Sequence, residues 1–146
     1  WCKLIENQLD VPMYFFGDLD AYTMQNIFRT LKAGSAASLI RNGDFSAPNV
    51  RFLGVLPGDV KKYDLPHYNV KESDPQEARA LKKAKDALEN DPFFKDKKNK
   101  DLAEILRWLI KEKIRCEQQS YFSVDPRDPI KTEKIILEKI RKGDYV

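Results

Sequence analysis

The sequence predicts an α/β fold with a parallel sheet, and three observations support that prediction. An apolar and aromatic run, "VPMYFFG", has the length and composition of a buried strand. A helical pattern follows over about 21–32, where an i, i+3, i+4, i+7 apolar stripe ends shortly before Gly34. A second buried run then covers about 50–55. Strand, helix and strand in this order are typical of a right-handed βαβ unit.

The chain changes character beyond Lys61. A polar connector is followed by three amphipathic helical patterns, at about 76–90, at 102–113 with an extension towards Gln119, and at 129–141. Two further helical pieces are predicted, the end of a helix within 1–10 and a short helix in "SAASLIRNG". We therefore divide one domain into an α/β part, 1–64, and a mainly helical part, 65–146.

Two strands are few for a parallel sheet, because such sheets are normally covered on both faces and contain more strands. We therefore expect the sheet to be incomplete at its N-terminus. Either further strands precede Trp1 in a longer parent chain, or a partner covers the sheet edge. The first residue is Trp rather than Met, which favours the first explanation.

Composition narrows the class of protein. The 146 residues, 42% of them hydrophobic, suffice for one domain with a core. The net charge of +3 is a mild surplus that permits a polyanionic partner without indicating one. Cys2 and Cys116 lack metal-ligand spacing and are interpreted as free thiols. No apolar stretch approaches the ~20 residues of a membrane span.

Two carboxylates directly follow the first predicted strand. Asp18 and Asp20 stand at i and i+2, so we expect their side chains on the same side of the chain. Ligands of open α/β sheets bind at the carboxyl ends of strands, and two hard oxygen ligands there suit Mg²⁺. Two interpretations stay open: a metal-binding pair, or Asp20 as the N-cap of the following helix beside a solvated Asp18.

Four segments, in this order and spacing, carry a family resemblance: "FFGDLDAY…IFRTLKAGSA", "RFLGVLPGDVKKYDLP", "AKDALENDPFF" and "IRCEQQS". Together they resemble the A subunit of DNA topoisomerase VI, a family that includes the related protein that makes meiotic double-strand breaks. The similarity extends from about residue 11 to residue 119. It implies a Toprim domain, a Rossmann-like fold that binds Mg²⁺, with Asp18 and Asp20 as metal ligands. Glu117, in the "EQQ" motif, would brace the metal ligands or bind backbone at a helix junction.

The chain departs from that family in two respects. The family pattern D-x-D-P-x-G is replaced after Asp20 by Ala21 and Tyr22, and loss of the proline removes a residue that pre-organises a helix start. The family's glutamate ligand and its catalytic tyrosine, which a winged-helix domain carries, both lie upstream of this chain. The resemblance therefore implies no catalytic residue here, and we expect the isolated chain to be inactive.

The activity implied by the resemblance is that of an ATP-dependent type IIB topoisomerase, which cleaves and rejoins double-stranded DNA through a tyrosine nucleophile. It implies an ATPase B subunit or B-like partner, a homodimer, and a prokaryotic cytoplasmic or eukaryotic nuclear location. The alternative is a non-catalytic Toprim-like scaffold or DNA-binding remnant.

His67 is interpreted as a surface loop residue. The lysine-rich stretch 95–100, "KDKKNK", is interpreted as a solvated loop that could touch DNA phosphates.

Overall fold

A parallel pair of strands lies at the centre of the molecule. The computed structural model describes residues 8–9, 11–34, 46–128 and 130–146. Strand β1 (Tyr14–Phe16) pairs with β2 (Arg51–Gly54), and Phe15 lies opposite Phe52. A π-helical segment, Thr23–Phe28, continues into helix α1 (Arg29–Ala33) between them. The predicted order of strand, helix and parallel strand is therefore confirmed.

Helices make up most of the remaining described chain. They are α2 (Pro57–Lys62), α3 (Pro75–Asn90), α4 (Pro92–Lys95), α5 (Lys100–Glu112) and α6 (Lys131–Lys142). Two 3-10 helices cover Lys97–Asn99 and Gln118–Ser123. A small antiparallel ladder joins β3 (Tyr68–Asn69) to β4 (Ile114–Arg115). The helices predicted at 76–90 and 129–141 correspond to α3 and α6.

Helix α5 ends earlier than the sequence predicts. The expected extension towards Gln119 is wrong, because Lys113 takes a left-handed conformation with φ of 52° and donates its N–H to Leu109. The chain then leaves the helix and pairs as β4 with the connector strand β3. The apolar face of α5 was predicted correctly, but the helical period was continued over residues that alternate as a strand does.

The connector after Lys61 and the lysine-rich stretch 95–100 contain more regular structure than the sequence predicts. The polar connector after Lys61 contains β3, and the stretch 95–100 is not a loop: it ends α4, forms a 3-10 turn and begins α5. Gly34 terminates the first helix as predicted, with φ of 80° and its N–H on the Thr30 carbonyl. The short helix predicted in "SAASLIRNG" and most of the one at 1–10 lie outside the described residues.

The core joins the two predicted parts of the chain. Phe15 packs its ring against Phe28 and Phe52, with centroids 5.6 Å and 6.0 Å away. The same buried cluster includes Leu106 of α5 and Ile135 of α6. The helical half is thus packed directly on the parallel strands.

The edge of β2 that faces away from β1 is met by the end of the chain. Phe52 and Val146 exchange both backbone hydrogen bonds, at 2.5 Å and 2.9 Å. Arg51 donates to the Tyr145 hydroxyl at 2.6 Å, and the Tyr145 ring lies 5.3 Å from that of Tyr14. The C-terminal residues therefore occupy part of the free edge of β2.

A buried ion pair ties α6 to the start of α2. The Lys139 ammonium lies 2.7 Å from both carboxylate oxygens of Asp59, and the two side chains are only 1% and 2% exposed. One Asp59 oxygen also accepts the Leu56 N–H at 2.8 Å, and Asp144 lies 3.6 Å from the ammonium. Paired charges at this depth hold two elements in one relative position.

We expect Lys139→Met to lower the free energy of unfolding by about 3–5 kcal/mol, because it leaves the Asp59 carboxylate buried without its cation. Urea denaturation at neutral pH measures the change. Asp59→Asn combined with Lys139→Met should cost less than the single variant, since no buried charge then lacks a partner. Lys142→Met serves as the control, because its ion pair with Glu138 is exposed. Equal decreases in the free energy of unfolding for Lys139→Met and Lys142→Met would refute the proposed contribution of the buried pair to stability.

Tyr121 is a fully buried aromatic beside this ion pair. Its ring lies 5.4 Å from that of Phe16 and 5.9 Å from that of Tyr63. Its hydroxyl has no hydrogen-bond partner among the described residues. Burial, followed by the charge of Asp59, raises the pKa of the hydroxyl well above its ordinary value of 10.0.

The raised pKa predicts alkaline destabilisation. The unfolded chain releases the Tyr121 proton as the pH passes about 10, whereas the folded chain retains it, so folding stability is complete below that pH and falls above it. Tyr121→Phe should flatten the fall by up to about 1.4 kcal/mol per pH unit. Denaturant titrations at several pH values check this, with the exposed Tyr68→Phe as control. The same steepness in both variants would contradict the prediction.

Candidate metal-binding acid pair

The parallel ladder continues past β1 and delivers the chain to the carboxyl edge of the sheet. Gly17 donates its N–H to Gly54 and accepts from Val55, both at 2.7 Å. A Cβ at Gly17 would lie 2.6 Å from the Phe15 ring, so any larger residue there requires that ring to move. Asp18 follows immediately, where ligands of open α/β sheets bind.

An isolated antiparallel bridge fixes the next residue. Leu19 donates to the Cys116 carbonyl at 2.8 Å and accepts the Cys116 N–H at 3.1 Å. Both side chains are completely buried. Side chains alternate along an extended chain, so burial of Leu19 is consistent with Asp18 and Asp20 lying on the opposite side. Their placement on one side stays a prediction. We call Asp18 and Asp20 the acid pair.

Each carboxylate of the acid pair is held by one backbone N–H. Asp18 Oδ1 accepts from Gln118 at 2.8 Å, and Asp20 Oδ1 accepts from Thr23 at 2.6 Å. Both side chains are half-buried. Within the described part of the chain, the second oxygen of each carboxylate accepts no hydrogen bond. Among the described residues, one oxygen of each carboxylate therefore has no hydrogen-bond donor.

These contacts bear on the two interpretations left open by the sequence. The N-cap interpretation of Asp20 is confirmed: helical conformation begins at Ala21, and the Asp20 side chain accepts the N–H of Thr23, the third residue from that start. The companion interpretation of Asp18 as a merely solvated acid is wrong, because its carboxylate anchors the segment around Gln118. Capping occupies only one oxygen and leaves a ligand role for Asp20 possible.

A small cavity of about 80 Å³ adjoins Asp20. Arg115 lines it from β4, because the bridge at Cys116 brings residues 115 and 20 side by side. The guanidinium lies 3.8 Å from Glu77 and 5.4 Å from the centroid of the Tyr68 ring. Sequence reasoning missed Arg115. The alternation of buried and exposed residues over Ile114, Arg115 and Cys116 could have revealed it.

Comparison with known proteins identifies the family of this chain. The model of the Toprim domain that Spo11 shares with the topoisomerase 6 A subunit matches residues 1–140. This chain belongs to that family. Its described residues carry the acid pair and the "EQQ" segment that lies beside it.

The relatives are much longer than the chain. It is 36% identical over 118 residues to the A subunit of type 2 DNA topoisomerase 6 from Methanocaldococcus jannaschii, and the match covers 81% of the chain and 30% of that protein. It is 28% identical over 121 residues to the A subunit of DNA topoisomerase 6 from Arabidopsis thaliana, covering 83% of the chain and 27% of that protein. It is 30% identical over 139 residues to the A subunit of type 2 DNA topoisomerase 6 from Methanothermobacter thermautotrophicus, covering 91% of the chain and 36% of that protein. The Toprim chain thus spans about a third of these relatives.

The "EQQ" segment of this Toprim domain supports the acid pair through its backbone. Gln118 supplies the N–H that binds Asp18, whereas the Glu117 side chain is exposed and its carbonyl accepts the Ser120 N–H. A direct role for the Glu117 carboxylate stays a prediction. Within residues 8–9, 11–34, 46–128 and 130–146, no group of three His, Cys, Asp or Glu side chains could hold a metal ion.

The remaining candidates lie apart from the acid pair. His67 is exposed, as predicted, with its ring 2.9 Å from the Leu65 carbonyl. Arg29, which had no predicted role, binds Asp91 at 3.0 Å. Cys116 is a free thiol whose pKa is raised by burial, while Cys2 lies outside the described residues. None of the described helices is long and apolar enough to cross a membrane.

The double use of Asp20 can be separated by substitution. We expect Asp20→Ala to lower the free energy of unfolding by about 1 kcal/mol, because the Thr23 N–H loses its acceptor. Asp20→Asn should change it by only a few tenths of a kcal/mol, since asparagine caps about as well. Urea denaturation in EDTA measures both. If the two variants are equally stable, the cap contributes nothing and the 2.6 Å contact is not a stabilising one.

Proposed function

We propose that Asp18 and Asp20 bind Mg²⁺ and that this Toprim domain forms part of the DNA-cleavage centre of a type IIB topoisomerase. The chain would be the Toprim portion of its A subunit. The observation that carries the proposal is the pair of carboxylates at the end of β1, each anchored through one oxygen with the other open. Family membership supports the same assignment.

The donor set fits the metal. Mg²⁺ prefers hard oxygen ligands, binds through one or two carboxylates and keeps several of its waters. The second oxygens of Asp18 and Asp20 are ligands of this kind, and the proposal places both on one metal ion. The backbone donors Gln118 and Thr23 restrict how each carboxylate turns, so little reorganisation accompanies binding.

The chain supplies position and charge to the proposed reaction. When bound, Mg²⁺ would contribute positive charge beside a DNA phosphate and beside the oxygen that leaves it. Asp18 and Asp20 would hold that charge at the sheet edge. We assign no nucleophile to this chain: the catalytic tyrosine belongs to a segment outside it, so the isolated chain should form no covalent link with DNA.

The proposed partners are DNA, a second copy of the A subunit and a B subunit. The substrate is double-stranded DNA, and the matched relatives are named DNA topoisomerases. Cutting both strands requires two copies of the site, which favours a homodimer, and ATP hydrolysis would belong to a B subunit. The second candidate function, a non-catalytic scaffold, is favoured by one observation: Asp20 already has a structural role as a helix cap.

A magnesium titration followed by NMR distinguishes the two functions. We expect Mg²⁺ to shift the backbone signals of residues 17–22 and of Gln118, whose N–H reports directly on Asp18. Binding should be weak, because the described residues offer two acids rather than three. Asp18→Asn combined with Asp20→Asn should abolish the localised shifts while keeping both backbone contacts.

Asp74→Asn combined with Asp125→Asn is the matched control. Both residues are acids outside the acid pair that accept backbone N–H groups, so the control removes the same charge from equivalent contacts. It should leave the shifts at residues 17–22 unchanged. Identical titrations of the unsubstituted chain and the Asp18/Asp20 variant would reject the metal site and favour the scaffold.

A further inference from the structure

We infer that a groove beginning at Asp20 receives the DNA backbone next to the phosphate held at the acid pair. In this inference Arg79 and Lys83 contact phosphates and Tyr22 stacks on a sugar or base. It rests on the proposed function, because it extends the path of DNA away from that site.

The groove lies between the helical segment after Asp20 and helix α3. It encloses about 270 Å³. Its main side chains come from both walls: Tyr22, Gln25, Asn26, Gln76, Arg79 and Lys83. We call it the Arg79 groove. Tyr22 and Ala80 also line the cavity beside Asp20, so the Arg79 groove adjoins that cavity.

The charge of the Arg79 groove suits a phosphodiester. Arg79 and Lys83 are exposed, lie one turn apart on α3, and form no ion pair with the described residues. Four helical residues advance about 6 Å, a spacing that lets two cations reach neighbouring phosphates of one strand. Glu77, an acid of α3 that lines the cavity beside Asp20, is engaged by the Lys71 N–H and by Arg115 at 3.8 Å.

Tyr22 adds a contact that charge alone does not provide. Its side chain is 61% exposed, whereas Phe28 on the same helical segment is buried in the core. An exposed ring at the mouth of a basic groove is a stacking surface for nucleic acid bases. Tyr22 follows Asp20 by two residues, so the ring and the acid pair would contact the same stretch of DNA.

Acidic side chains limit the far end of the path. Asp86 and Asp91 line the wider continuation of the groove beyond Lys83. Asp91 is neutralised by Arg29 at 3.0 Å, while Asp86 accepts, among the described residues, only the side-chain amide of Asn90 at 2.7 Å. The inferred DNA contact therefore runs from Asp20 to Lys83 and stops there.

The test is binding of the 146-residue chain to a short fluorescein-labelled DNA duplex of mixed sequence, in EDTA. Anisotropy is measured at salt concentrations between about 50 and 200 mM, where phosphate contacts produce a linear salt dependence. Arg79→Gln combined with Lys83→Gln should weaken binding about tenfold or more and reduce the logarithmic salt slope by about two. Tyr22→Ser should weaken binding without changing the slope, because it removes no charge.

Lys97→Gln combined with Lys98→Gln is the matched control. It removes the same charge from the lysine-rich stretch 95–100, where the sequence suggested another phosphate contact. It should alter affinity and salt slope far less than the Arg79/Lys83 variant. Equal effects of the two double variants would show a general electrostatic attraction and overturn the groove. Absence of measurable binding at the lowest salt concentration would also overturn it.

A second arm separates this inference from the proposed function. The duplex titration is repeated with Mg²⁺ and with the Asp18→Asn/Asp20→Asn variant. If the Arg79/Lys83 effect is present but Mg²⁺ changes nothing that depends on the acid pair, the groove stands and the metal site fails. If Mg²⁺ acts through the acid pair but the groove substitutions match the lysine control, the metal site stands and the groove fails.

Discussion

The bridge between Leu19 and Cys116 is the contact on which the acid pair depends. These two residues are distant in the sequence, yet they exchange both backbone hydrogen bonds and bury both side chains completely. The bridge fixes the backbone between Asp18 and Asp20 and removes the Leu19 side chain from solvent. The same bridge brings the Gln118 N–H to Asp18 and places Arg115 beside Asp20. This single bridge between distant residues therefore determines which groups lie beside Asp18 and Asp20.

The buried pair of Asp59 and Lys139 performs a comparable task for the C-terminal helix. It holds α6 against the start of α2, and the chain then returns to β2, where Val146 pairs with Phe52. Gly54 lies between these contacts and the acid pair: a Cβ there would meet Asp59 and Tyr121, and its carbonyl accepts the Gly17 N–H. The end of the chain thus supports the strand edge from which Asp18 emerges.

The structure also changes how the two acids are understood. Helix capping and metal binding are rival interpretations in the sequence, since each explains an aspartate before a helix. In the folded chain they are compatible, because the cap uses one oxygen of Asp20 and leaves the other open. Asn in place of Asp preserves the cap and removes the charge, so it tests the metal role without disturbing the helix.

The sequence by itself determined the βαβ order, the positions of α3 and α6, and the family. These follow from local periodicity, short-range spacing and ordered motifs, which depend only on the order of residues in the sequence. Only the tertiary structure decided that Arg115 and Gln118 adjoin the acids, that Lys139 is buried on Asp59, and that α5 stops at Glu112. Each of these depends on pairing between distant segments. Such pairing overrides local pattern, because it is decided by which buried groups find partners in the folded core.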